Sequence, residues 1–95
     1  MLDNEENFFE GKLDISMKAS EEIFDKKQNL VHEILRTRRE MNMTQKNIEA
    51  ACGVKQPVIA RMERGLTDPQ LTTILKVLLP LGKTLKIVDI EEHAE

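Results

Sequence analysis

The clearest pattern in the chain begins at Leu30, where Leu30, Val31, Ile34, Leu35 and Met41 recur at steps of three and four. Arg38 stands at the one place in that stripe where an apolar residue is missing. A repeat close to 3.6 positions predicts an amphipathic helix. Asp25 and Gln28 have the spacing of a capping box for its start, but Ile23 and Phe24 equally allow a longer helix, so the start stays open. Thr44 then offers an N-cap hydroxyl for a short helix from Gln45 to Cys52, which Gly53 ends in the left-handed conformation. Val54 follows as a buried plug. A third helix is expected from Gln56 to Arg64, with Pro57 tolerated in a first turn whose amides lack intrahelical partners, and Gly65 closes it. After a loop from Leu66 to Gln70, the set Leu71, Ile74, Leu75, Leu78 and Leu81 predicts a fourth helix that stops near Pro80 and Gly82.

The period changes after Gly82. Thr84 to Ile90 is rich in β-branched residues and alternates in part, with Leu85 and Ile87 on one face and Lys86 on the other, which reads as a short strand. A lone strand in a helical chain must find another strand, so Leu85, Ile87 and Val88 are candidates for pairing with a second copy or with the edge of a partner protein. The chain therefore divides into residues 1–27, a unit of short helices at 28–82, and a strand with an acidic tail at 83–95. The expected fold class is all-α, a bundle of four to five helices.

Charge separates these parts. Residues 1–27 carry eight acids and four lysines, residues 28–68 seven bases and five acids, and residues 69–95 three bases and four acids, giving −4, +2 and −1. Only the middle is basic. A reader of DNA flanked by acidic ends binds weakly as a single copy, because phosphate contacts supply most non-specific affinity, and a homodimer doubles them. At 95 residues the chain also buries a modest core, which again favours association. The acidic N-terminal part holds Phe8, Phe9 and Phe24 with Leu13, Ile15, Met17 and Ile23, and shows no clear period before Ser16. That mixture suits a segment that folds on a partner, with Phe8, Phe9, Leu13, Ile15 and Met17 as anchors. A helix docked on the protein's own core is the equal alternative for Ile23 and Phe24.

The chemistry for other classes is thin. His32 and His93 lie far apart, no nucleophile and base share a local motif, and no glycine-rich phosphate loop occurs, so an enzyme is not expected. Cys52 stands alone and reads as a core thiol. Glu91, Glu92 and Glu95 read as a solvated charge run. No cofactor, metal or small-molecule substrate is implied. The longest apolar run, Ile74 to Leu81, is interrupted by Lys76 and Pro80 and falls short of the roughly 18 residues a membrane helix needs. The opening residues lack the pattern of a secretory signal, so the expected location is cytoplasmic.

The remaining signal is a multi-residue one: Thr44-Gln45, Ile48, Gly53-Val54, Gln56, Ile59, Arg61-Met62-Glu63 and Gly65. Two short helices joined by a tight turn cross at a large angle, so that the first lies over the phosphate backbone while the second enters the major groove of duplex DNA. On these residues, positions 30–82 resemble the Cro/C1-type (XRE) helix-turn-helix family of phage repressors. The resemblance implies that Gln45 braces a phosphate, that Lys55, Gln56, Pro57 and Arg61 face the groove, and that Thr44 and Arg64 hold phosphates. It also implies a structural ion pair between Arg38 and Glu63. Two positions depart from the family pattern: Glu49 stands where a small residue is usual, and Lys55 replaces the usual Ser or Thr cap of the recognition helix. The stretch from Lys76 to Val88 is further similar to antitoxins of HigA type, which repress their own operon and mask a basic ribonuclease toxin of HigB type. That likeness makes the N-terminal part a candidate toxin-holding arm, and a two-fold dimer would read an inverted-repeat operator. A stand-alone phage-type repressor without a toxin is the alternative.

Overall fold

A computed structural model describes the backbone of residues 2–90 and the side chains of residues 17–90. Helix α1 runs without interruption from Leu2 to Glu40, followed by α2 (Gln45–Cys52), α3 (Gln56–Glu63) and α4 (Leu71–Leu78), which tightens into a 3-10 turn over Leu79–Leu81. The fold is all-α, and α1 takes the longer of the two starts that the sequence left open. No break occurs near residue 27, and Asp25 and Gln28, expected as a capping box, lie inside the helix. The physical reason is the absence of any Gly or Pro between Lys12 and Glu40, so nothing removes an i→i−4 hydrogen bond or releases the chain from helical angles. The result is an elongated molecule, with a radius of gyration of 17.6 Å and a longest dimension of 56 Å. A compact chain of this length has a radius near 12 Å.

The C-terminal half of α1 closes the bundle by packing on α3, while α2 packs on α3 and α4. Val31, Ile34, Ile48, Ile59, Met62, Ile74, Val77, Leu78 and Leu81 form the core, with Leu30, Met43, Cys52 and Val54 packed around it. On α4 the buried face is Ile74, Val77, Leu78 and Leu81, the spacing of one helical stripe. Val77 was not part of the expected set. Leu71, which was, is 62% exposed at the first position of the helix. Met41 lies beyond the end of α1 and is also exposed.

Each helix end has a local cause. Asn42 takes the left-handed conformation (φ 57°) after α1, with Met43 N–H bonded to Arg38 O and Asn42 N–H to Arg39 O. The same pair of bonds closes α3, from Leu66 N–H to Arg61 O and from Gly65 N–H to Met62 O. This is the Schellman pattern, which satisfies carbonyls that the helix leaves open. Gly65 (φ 71°) is needed for its left-handed backbone; a Cβ there would also stand 2.7 Å from Gln28 Oε1 on α1, the far end of a flexible side chain that can move aside. Gly65→Ala is expected to cost about 1–2 kcal/mol from the left-handed backbone alone. Adding Gln28→Ala should recover only the crowding part, and a thermal melt of the double variant equal to wild type would show that the backbone penalty is absent. Next to this contact Lys27 Nζ donates to Thr67 O (3.5 Å), lies 4.0 Å from the Asp68 carboxylate, and sits 5.7 Å from the centre of the Phe24 ring.

The expected strand from Thr84 to Ile90 is not formed, and no strand occurs among the described residues. A strand exists by pairing, and the described residues hold no second strand for it to pair with. Ile87 is consequently 96% exposed, with Val88 and Ile90 mostly exposed and Leu85 less so. The tail passes near α1, where Lys83, Thr84 and Leu85 line one side of a cavity of about 390 Å³ whose other walls include Glu33, Arg36 and Thr37.

Candidate nucleic-acid interface

Helices α2 and α3 meet across a three-residue turn, Gly53-Val54-Lys55. Gly53 (φ 84°) ends α2 with its N–H on Glu49 O, and Val54 tucks against the core. Thr44 Oγ1 accepts the Asn47 N–H (3.0 Å) and Asn47 Oδ1 accepts the Thr44 N–H (2.8 Å), a complete capping box that fixes the start of α2. Ile48, Ile59 and Met62 are fully buried behind the turn and set the crossing of the two helices. Of the residues assigned to DNA from the sequence, Thr44, Lys55, Pro57, Arg61 and Arg64 are exposed, while Gln45 and Gln56 are half-buried.

Gln45 and Gln56 are half-buried because they are bonded to each other and to the interior. Arg38, on α1, donates from Nε to Glu63 Oε2 (2.6 Å), from Nη2 to Glu63 Oε1 (2.8 Å) and from Nη1 to Met43 O (2.8 Å). Both charged side chains are almost wholly removed from solvent. Hydrogen bonding from Glu63 raises the Arg38 pKa above its already high ordinary value, against the opposing effect of burial, and the negative charge of Glu63 adds to the rise. The guanidinium therefore stays charged at any pH at which the fold persists. Gln45 Nε2 donates to the same Glu63 Oε1 (2.8 Å), and Gln56 Nε2 donates to Gln45 Oε1 (2.5 Å). A line of hydrogen bonds thus runs from α1 through the end of α3 to α2 and back to the start of α3.

The direction of that line follows from chemistry. An ionised carboxylate only accepts, so Gln45 must turn its NH₂ group toward Glu63 and its carbonyl toward Gln56. Gln56 in turn must present its NH₂ group inward. It keeps its carbonyl oxygen and one N–H for an outside partner.

The two departures noted in the sequence prove to be related. Lys55 makes no side-chain cap for α3, and Glu49 Oε1, from α2, instead accepts the Gln56 N–H (3.1 Å). Lys46 Nζ stands 3.8 Å from the same oxygen. Glu49 does not hold the helices apart; it joins them. Sequence reasoning missed this role because the partners lie on different helices, so no spacing rule within one element announces it. Cys52 is a free thiol beside the core. Among the described residues no group of acids, histidines and cysteines is placed to hold a metal, no buried side-chain polar atom lacks a partner, and no helix is long and apolar enough to cross a membrane.

The candidate partner anchors Phe8, Phe9, Leu13 and Ile15 have side chains outside the described residues, whereas Met17 is 68% exposed on α1. Leu85, Ile87 and Val88 all lie in the irregular tail.

Comparison with known proteins agrees with this geometry. The family model described as "Helix-turn-helix" matches residues 34–88, more than half of the chain. A protein of Haemophilus influenzae (strain ATCC 51907 / DSM 11121 / KW20 / Rd), named "Uncharacterized HTH-type transcriptional regulator", is 54% identical over 59 residues. The match covers 62% of this chain and 60% of that protein, so the chain spans well under two thirds of that relative. A solved chain of a "Toxin-Antitoxin module from Streptococcus pneumoniae" is 50% identical, with a TM-score of 0.61 over 74% of this chain and 80% of that one. With its capped α2, its α3 held by the Arg38–Glu63 pair and its exposed basic rim, the chain belongs to the XRE-type helix-turn-helix family, whose members are DNA-binding transcription regulators.

Proposed function

We propose that this protein is an antitoxin that binds an inverted-repeat operator at its own operon as a homodimer and neutralises a small basic ribonuclease toxin of HigB type. The DNA half of the reading is carried by the bonded pair Gln45 and Gln56 at the crossing of α2 and α3. The remaining carbonyl and N–H of Gln56 match the N6 donor and N7 acceptor that adenine shows in the major groove. Lys55, Pro57 and Arg61 line the same approach, and Thr44, Gln45 and Arg64 take phosphates on either side. Two-fold pairing of copies through the tail, with Leu85, Ile87 and Val88 in contact, places two recognition helices on half-sites about 34 Å apart or a multiple of that distance.

The toxin half is supported by the likeness to a chain of a toxin–antitoxin module at 50% identity. The acidic N-terminal part of α1, with Phe8, Phe9, Leu13, Ile15 and Met17, is the surface assigned to the toxin, because a protein that cleaves RNA presents a basic substrate face. The test is a footprint of the purified protein on the DNA upstream of its gene, with and without the product of the adjacent gene. Protection of an inverted repeat that changes when that product binds is the expected result. Protection indifferent to it would leave a stand-alone repressor, and no protection at low salt would overturn the DNA reading itself. Arg64→Ala should weaken binding to all sequences alike and lower the salt slope by about one.

A further inference from the structure

We propose that Glu49 is a positioning residue for operator readout: it holds the first amide of the recognition helix and thereby sets the place from which Gln56 reaches a base. The inference rests on the DNA-binding reading above.

The first turn of a helix has four amides without intrahelical partners, and each must be accounted for. In α3 the second position is Pro57, which has no N–H. Val58 N–H bonds back to Lys55 O at 2.9 Å, the same oxygen that takes the first regular helix bond from Ile59 N–H at 3.1 Å. Lys55, the N-cap, contributes no side-chain bond. Of the two amides that remain, those of Lys55 and Gln56, the first helical one, Gln56 N–H, goes to Glu49 Oε1 at 3.1 Å. The first helical amide of α3 is therefore fastened by the protein itself.

The same residue, Gln56, is thus tied at both ends before DNA arrives. Its backbone is tied to Glu49 on α2, and its side-chain amide to Gln45 on α2. Two points on one helix fix both the position of Gln56 and the direction of its free carbonyl and N–H. With the Glu49 bond removed, α3 keeps its C-terminal anchors at Glu63 and Gly65, but its first turn is free to shift relative to α2. A shift there moves the base-reading group and leaves the phosphate-binding side chains largely where they are.

The discriminating variants are Glu49→Gln, which keeps an acceptor oxygen and loses the charge, and Glu49→Asp, which keeps the charge and shortens the reach. Each is tested in the full-length protein by competition between a duplex carrying the protected inverted repeat and the same duplex with the adenine opposite Gln56 replaced. Thermal melts confirm that both variants are folded at the temperature used. Glu49→Gln is expected to keep the wild-type preference within about two-fold, with both duplexes bound more tightly because a negative charge near the phosphates is gone. Glu49→Asp is expected to lose the preference by roughly five-fold, the size of one missing helix cap. Preference retained by Glu49→Asp, or lost equally by Glu49→Gln, would overturn the positioning role even where the melts fall. A wild-type protein with no preference between the two duplexes would instead defeat the DNA reading on which the inference stands.

Discussion

Glu63→Ala is expected to lower the stability of the protein by a large fraction of its total. The substitution removes the acceptor for two Arg38 bonds and for Gln45 at once, and it leaves a guanidinium that is almost wholly out of water without a counter-charge. Breaking a buried pair in this way costs about 3–5 kcal/mol. Total stability for a domain of this size is only about 5–15 kcal/mol, and one kcal/mol moves the melting temperature by roughly 4–8 °C. A drop of more than about 12 °C follows from those two magnitudes. Differential scanning calorimetry checks it, and a melt within about 2 °C of wild type would show that the pair holds nothing. Removing both charges together, in Arg38→Met with Glu63→Leu, should be milder than the single change, because no unpaired charge is then left inside.

Gln56→Ala should behave in the opposite way, folding normally and losing discrimination. A bidentate base contact is worth about 1–3 kcal/mol, which is a loss of roughly five- to 150-fold in preference for operator over a site with the adenine changed. Affinity for unrelated DNA should hardly move, since Lys55, Arg61 and Arg64 remain exposed on the basic rim. Gln45→Glu offers a sharper version. A carboxylate at that position cannot donate to Glu63 and would face it as a like charge, so the line of bonds should break at its middle and Gln56 lose its fixed direction. Equal operator preference in wild type and Gln56→Ala, measured by fluorescence anisotropy at fixed salt, would remove Gln56 from the reading of DNA.

Much of the bundle was legible because its causes are local. Thr44 announced the cap of α2, Gly53 and Gly65 the left-handed ends of α2 and α3, and Pro57 the first turn of α3, each from a single residue's conformational preference. The pattern of core residues on α1 and α4 came through the helical period, but that period has no phase of its own, which is why Val77 was overlooked and Leu71 and Met41 were placed inward. The extent of α1 was harder for the opposite reason. Its first half lacks an apolar stripe and carries Gly11, and only the absence of Pro, a negative signal, speaks for helix there. The tail followed β-propensity, which turns into structure only when a second strand is present. At the site, Arg38 and Glu63 were paired through family resemblance, whereas the bond from Glu49 to the Gln56 amide joins two helices through a side chain, and no one-dimensional rule contains it.

The hydrogen bonds that immobilise Gln45 and Gln56 also decide when their freedom is given up. A long flexible side chain that must be ordered at an interface costs about 0.5–1.5 kcal/mol of binding free energy. Here that entropy is lost when the chain folds, so the encounter with DNA begins from two amides already aimed. Recognition can then proceed as a docking of prepared surfaces, with the entropy of complex formation set mainly by released counterions and displaced water and little by the reading side chains themselves.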